Sequence, residues 1–210
     1  MSFVVGLAGG IGCGKSAVAD RLVARGAVLI DADVVAREVV VPGGPAYQPL
    51  VDRFGPGILA SDGTIDRPAL AAVAFSDAQA LADLNAITHP AIGVSMVAQR
   101  EALAGTDAIV VVAIPLLKTE HRASIGLDAV VVVDCPVEVA LQRLVEQRGL
   151  TQPDAAARMA AQMSREERLA QADYVVDNAG SLDQLEAEVA RLWDWLLDAR
   201  REKGAPAPSG

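Results

Sequence analysis

The stretch "GLAGGIGCGKSAVAD", residues 6–20, places five of the chain's 18 glycines within nine positions and then runs into a helical pattern. The apolar run "FVVGLAG" from Phe3 leads into it and reads as a buried parallel strand. "KSAVADRLVARG" follows with helical spacing and stops at Gly26. A glycine-rich turn between strand and helix leaves backbone N–H groups uncovered at a helix N-terminus, where anions bind. Gly9, Gly14, Lys15 and Ser16 fit the pattern G-x-x-x-x-G-K-[ST] of a P-loop, in the strand-to-helix context that the pattern requires. Lys15 is then expected to reach the β- and γ-phosphates of a nucleotide, and Ser16 to ligate Mg²⁺.

Outward from this loop the chain keeps alternating. "AVLIDAD" repeats the strand signal, with Asp33 placed to cap a helix running from near Val34 to the break at Pro42, Gly43 and Gly44. Residues 45–104 change texture: turns at "FGPGILASDGTIDRP" separate "PALAAVAFSD" from "AQALADLNAITHPAIGVSMVAQREALA", which predicts a mostly helical insertion. "DAIVVVAIPLL" and "DAVVVVDCP" are two further buried strands. A helix is expected after Pro136, continuing past a break at "RGLTQPD" through "AAARMAAQMSREERLAQ". "ADYVVDN" supplies a fifth strand, and Ser181 caps a last helix ahead of a tail, 204–210, that reads as disordered. The expected class is α/β: a P-loop NTPase-type parallel five-stranded sheet with helices on both faces, residues 1–44 and 105–203 forming the core.

Composition narrows the partners. The 210 residues suffice for one domain or a core with an insertion, and with 52% apolar but only 3% aromatic residues the core must be built from Ala, Val, Leu and Ile. A net charge of -9 argues against a broad footprint for nucleic acid or an anionic membrane, so any anion must be met locally. No stretch reaches the roughly 18 apolar residues of a membrane span, and the N-terminus has no basic n-region, so a cytoplasmic location is expected. Cys13 and Cys135 form no C-x-x-C pattern and read as free thiols, without a disulfide framework or zinc site. Cys13, ahead of a helix N-terminus, is expected to be oxidant-sensitive and shielded by ATP.

Two acids at the end of the second strand bear on the reaction. Asp31 and Asp33 stand two apart, so continued extended geometry points both toward the crevice. A carboxylate there takes the proton of an acceptor hydroxyl or supports Mg²⁺. Asp33 is read as the base, against a plain helix cap, and Asp31 as metal or arginine support. Arg37, one turn on, reads either as a partner for a carboxylate or substrate phosphate, or as a solvated surface arginine. The base-reading N-K-x-D stretch and D-x-x-G switch of a GTPase are not in credible places. A shikimate-type or gluconate-type small-molecule kinase, and a P-loop nucleotide switch without phosphotransfer, stay open from these residues alone.

The chain resembles the dephospho-CoA kinases through "GLAGGIGCGKS", "IDADVVAREVVVPG", "DGTIDRPALAAVAF", "LNAITHPAI", "IPLL", "LQRLVEQRGLT" and "RMAAQMSREERLAQADYVVDN", in that order. The resemblance implies ATP-dependent phosphorylation of the ribose 3′-hydroxyl of dephospho-CoA, with ATP as co-substrate and Mg²⁺ as cofactor. It implies a fold with an acceptor-binding helical insertion at 45–104 and a lid at about 138–170. Neither nucleic acid nor membrane is an expected partner, and the oligomeric state is expected to be a monomer or weak homo-oligomer. Gly9, Gly10, Ile11, Gly12, Cys13, Gly14, Lys15, Ser16 and Ala17 would surround the ATP phosphates, with Asn178 near the nucleotide. The catalytic set would be Asp33, Lys15, Arg143 and Arg148; Ser16 and Asp31 would serve the metal. Asp33, Arg37, His89, Pro115, Leu116 and Leu117 would meet the acceptor. Two departures stand out: Thr119 occupies the place where the family often has an acid, with Glu120 following, and Cys13 replaces a usual Ser.

The lid segment carries Arg143, Arg148, Arg158, Arg165 and Arg168 and no lysine. Guanidinium groups fit bidentate contact with phosphate oxygens, while Glu138, Glu146, Glu166 and Glu167 nearly balance their charge. In a continuous helix Arg158, Gln162 and Arg165 would share one face.

Overall fold

Five aliphatic runs form the strands of the computed structural model, which describes residues 1–114 and 119–204 and, at 119–121, the backbone alone. In chain order the elements are β1 (Phe3–Gly9), α1 (Lys15–Ala24), β2 (Val28–Asp31), α2 (Ala32–Glu38), α3 (Tyr47–Phe54), α4 (Arg67–Ala74), α5 (Ala78–Glu101), β3 (Ile109–Ala113), α6 (Thr119–Ile125), β4 (Ala129–Asp134), α7 (Val137–Arg148), α8 (Gln152–Ala160), α9 (Arg165–Leu169), β5 (Tyr174–Asp177) and α10 (Leu182–Gly204). The strands order as β2-β3-β1-β4-β5 in one parallel sheet. All seven residues of β1 are buried. It is flanked in register by β3 (Val5 opposite Val111) and β4 (Gly9 opposite Val133). A central strand buried on both faces reads as a continuous apolar run, which is the pattern from Phe3 onward.

Two compact units divide the chain: Met1–Ile30 with the segment from Leu103 onward, and Asp31–Ala102. In the first, Phe3, Val5 and Leu7 pack with Val18 and Leu22 of α1 and with Leu185, Val189, Leu192 and Leu196 of α10. The spacing of those four α10 residues keeps them on one stripe, and each buried side chain contributes about 1.5–3 kcal/mol. In the second unit, Leu50, Ile58, Leu70 and Ala74 are buried, and α2, α3 and α4 each contact α5. Tyr47 donates its hydroxyl to the Gly63 carbonyl at 2.6 Å.

Four local expectations are corrected. The second strand ends at Asp31, and α2 begins at Ala32 with Asp31 as its cap, so the extended geometry stops before Asp33. That helix ends at Glu38, short of the Pro42 break. The expected continuous helix over 155–171 is two helices, because Ser164 and Glu167 close a reciprocal capping box that starts α9. Arg158, Gln162 and Arg165 therefore share no helix face. A short helix, α6, also lies between the third and fourth strands, where none was expected. At the C-terminus α10 reaches Gly204, and the rest of the expected tail, 205–210, lies outside the described residues. No helix among the described residues is long and apolar enough to cross a membrane.

Candidate active site

The loop leaving β1 turns through two glycines with left-handed backbone, Gly12 at φ 82° and Gly14 at φ 88°. L side chains rarely adopt this conformation. A Cβ on Gly12 would stand 2.6 Å from the Ala140 carbonyl oxygen, and one on Gly14 would run into the Asn178 side chain. Both positions require glycine for conformation and for space. Between them the Cys13 N–H donates to the Gly10 carbonyl at 3.1 Å, and the Cys13 carbonyl accepts from Asn178 Nδ2 at 2.8 Å. Gly14 is then the N-cap of α1, with Lys15 as first helical residue and the exposed Ser16 next.

Beside this loop lies a cavity of about 400 Å³ lined by Gly12, Gly14, Ala17, Arg143, Arg148 and Asn178, together with residues at the start of α10. The fold thus brings six sequence-predicted residues from three separate segments to one concavity. Arg143 Nη1 is buried and has no hydrogen-bond partner among the described residues. Leaving a charged donor in that state costs about 1–3 kcal/mol or more, which an anionic ligand would offset. Asn178 is itself buried, its N–H bonded to the Asp134 carbonyl at 2.8 Å, so its place is fixed by β4 while its amide holds the loop.

A second cavity, about 340 Å³, lies where the loop meets α8 and α9, lined by Gly10, Ile11, Cys13, Gln162, Arg165 and Arg168 among others. Here the Ile11 N–H donates to Gln162 Oε1 at 2.9 Å. Arg165 grips Asp134 with two nitrogens, Nε at 2.9 Å and Nη2 at 2.6 Å. Arg158 is exposed on α8 and lines neither cavity. Sequence reasoning named Gln162 only as part of a helix face and passed over Asp134, whose position at the end of a predicted strand was the available signal.

Cys13 and Cys135 are free and buried, with their sulfurs 3.2 Å apart. The hydrogen bond from Cys135 lowers the Cys13 thiol to about 7, against its own burial and the charge of Asp134, with Arg168 helping. The same hydrogen bond, with burial and the Cys13 charge, pushes the Cys135 thiol upward.

Asp31, Asp33, Arg37 and His89 belong to the second unit. Asp31 is the N-cap of α2, its Oδ1 accepting from the Asp33 N–H at 2.8 Å. The capping role weighed for Asp33 thus falls to Asp31, and Asp33 stands exposed in the first turn. Arg37 is exposed one turn later, and His89 is exposed on α5, just before Pro90. Pro90 has no N–H, so the Ala86 carbonyl loses its helical donor next to His89. Pro115, Leu116 and Leu117 lie outside the described residues, as do the side chains of Thr119 and Glu120. The Ser16 hydroxyl and Asp31 carboxylate are hard oxygen donors, the kind Mg²⁺ takes one or two at a time while phosphates supply the rest.

A parallel sheet whose central strand runs through left-handed glycines into a Lys-Ser helix start, with arginines on the same cavity, defines a P-loop kinase. Residues 3–184 match the family model CoaE, dephospho-CoA kinase. A dephospho-CoA kinase of Streptomyces avermitilis is 50% identical over 200 residues, covering 95% of this chain and 97% of that protein. A crystal structure of a Thermus thermophilus protein, 31% identical, matches with a TM-score of 0.74 over 93% of this chain and 98% of its own. A dephospho-CoA kinase from Campylobacter jejuni, 26% identical, matches at 0.70 over 93% and 97%. The chain belongs to the dephospho-CoA kinase family.

Proposed function

We propose that the protein transfers the γ-phosphoryl group of ATP to the ribose 3′-hydroxyl of dephospho-CoA, giving coenzyme A and ADP. The observation that carries the ATP half is the cavity in which the Gly12 and Gly14 cradle meets Arg148 and Arg143, the latter with a buried nitrogen lacking a partner among the described residues. Family membership carries the acceptor half and disfavours the shikimate-type and gluconate-type readings.

In this reading the loop N–H groups and Lys15 hold the β- and γ-phosphates, aided by the N-terminus of α1. Asp33 accepts the 3′-hydroxyl proton as the oxygen–phosphorus bond forms and the bond to the β-phosphate oxygen breaks. Arg143 and Arg148 neutralise charge on the transferring group and on departing ADP. Arg37 and His89, with Pro115, Leu116 and Leu117, meet the acceptor. Mg²⁺, held by Ser16 and supported by Asp31, would screen the β- and γ-phosphate oxygens. A cytoplasmic enzyme, monomeric or weakly self-associating, completes the reading. The test is ADP release measured with dephospho-CoA, shikimate, gluconate or no acceptor. Release that depends on dephospho-CoA alone supports it; equal release without an acceptor makes the protein a nucleotide hydrolase or switch.

A further inference from the structure

The two cysteines of the chain lie 122 residues apart in sequence, yet the sheet brings them together. β1 and β4 are neighbours in register up to Gly9 and Val133, so the loop after one strand and the first residue beyond the other emerge side by side. Asn178 ties both backbones: its N–H donates to the Asp134 carbonyl, one residue before Cys135, and its Nδ2 donates to the Cys13 carbonyl, each at 2.8 Å. The sulfurs stand 3.2 Å apart, and both thiols line the 340 Å³ cavity under the lid helices, which has room for a small oxidant.

We propose that Cys13 and Cys135 form a reversible disulfide when the protein meets hydrogen peroxide or an organic hydroperoxide, and that this bond shuts off use of ATP. The Cys13 thiolate attacks the terminal peroxide oxygen: the S–O bond forms, the O–O bond breaks, and the leaving oxygen departs as water or an alcohol after taking a proton. Cys135 then loses its proton and attacks the Cys13 sulfur; the S–S bond forms and the S–O bond breaks, releasing water. The two thiols supply the two electrons that reduce the peroxide. Cys13 takes the first role because its thiol is held near 7 while that of Cys135 is pushed up. Asp134 opposes ionisation of both thiols, Arg168 favours it at Cys13 and Arg143 at Cys135.

The bond has a consequence for the loop. A disulfide holds its sulfurs at about 2.05 Å, so closure brings the two sulfurs roughly 1 Å closer than their present 3.2 Å and ties the Cys13 loop covalently to the end of β4. Cys13 sits between the two left-handed glycines of the phosphate cradle, and a shift of the cradle N–H groups by even part of that distance slows a reaction that depends on their placement. Conversely, a loop gripping ATP resists the shift, so nucleotide protects the thiols. This loss of activity rests on the ATP-binding reading of the loop; formation of the bond does not.

The test treats the full chain with a small excess of hydrogen peroxide, removes it with catalase, then unfolds and alkylates the protein for intact-mass and peptide analysis. The expected product has lost two hydrogens, has no thiol left to alkylate, and yields a peptide joining Cys13 to Cys135. Its kinase rate is at least tenfold below that of the untreated sample, dithiothreitol restores it, and MgATP slows the oxidation. Cys135→Ser, compared with its own untreated rate, gains oxygen at Cys13 without losing two hydrogens and yields no joined peptide. Both thiols still alkylating after treatment, or a joined peptide with undiminished rate, overturns the proposal. An untreated protein that turns over no ATP instead contradicts the kinase reading and leaves the mass result to stand alone.

Discussion

Asp33 is exposed in the first turn of α2, immediately past the cap made by Asp31. The cap takes one oxygen of Asp31, so the proposed function gives the base role to Asp33. Asp33→Asn is expected to lower kcat by about 10²–10⁴-fold while the KM for dephospho-CoA changes little; steady-state kinetics with both substrates varied separates the outcomes, and an effect confined to KM would make Asp33 a binding residue. Lys15→Ala removes a cation from the phosphates and should lose about 3 kcal/mol of transition-state stabilisation, roughly 150-fold in kcat, with an unchanged thermal midpoint. Near-wild-type turnover would sink the P-loop assignment. Of the residues that hold this site together, Asn178 was legible only as a neighbour of the nucleotide. Its grip on the Cys13 carbonyl, and the meeting of Cys13 with Cys135, depend on strand order, which spacing along the chain does not encode.

Among the elements, the strands were legible because each is a β-branched run closed by a turn residue, as in "IVVVA" and "AVVVVD". Helices α8 and α9 were less so. Alanine and methionine keep a helical period across residues 155–163, and that period hides the break, whereas the Ser164-to-Glu167 box marks the new start. The short α6 offered only seven residues and little apolar periodicity. The capping box matters because α9 carries Arg165 and Arg168, while Gln162 sits in the break before it. Ser164→Ala should cost about 1 kcal/mol locally and raise amide exchange across residues 165–169 about fivefold, read by hydrogen–deuterium exchange. Unchanged protection there would mean that the Arg165–Asp134 pair alone fixes the segment. A ligand joining ATP to the acceptor should slow exchange between Arg143 and Arg168; no change would remove the lid role.

At the scale of the molecule, a chain with net charge -9 assembles local sites for anions by topology rather than by overall field. The parallel sheet sets the loop after β1 beside the end of β4, and the turn into α10 completes the cavity proposed for the nucleotide with Arg143 and Arg148 of α7. The glycine loop alone pointed to a nucleotide and the two acids to a kinase, but the acceptor was readable only through the family resemblance, because the residues assigned to it share no local spacing pattern. The most direct test incubates the purified protein with MgATP and dephospho-CoA and analyses the nucleotide product by phosphorus NMR and mass spectrometry. The account predicts coenzyme A bearing one new phosphate on the ribose 3′-oxygen, with one ADP per product. Unchanged dephospho-CoA alongside ADP and free phosphate, or a phosphate on any other oxygen, would contradict it.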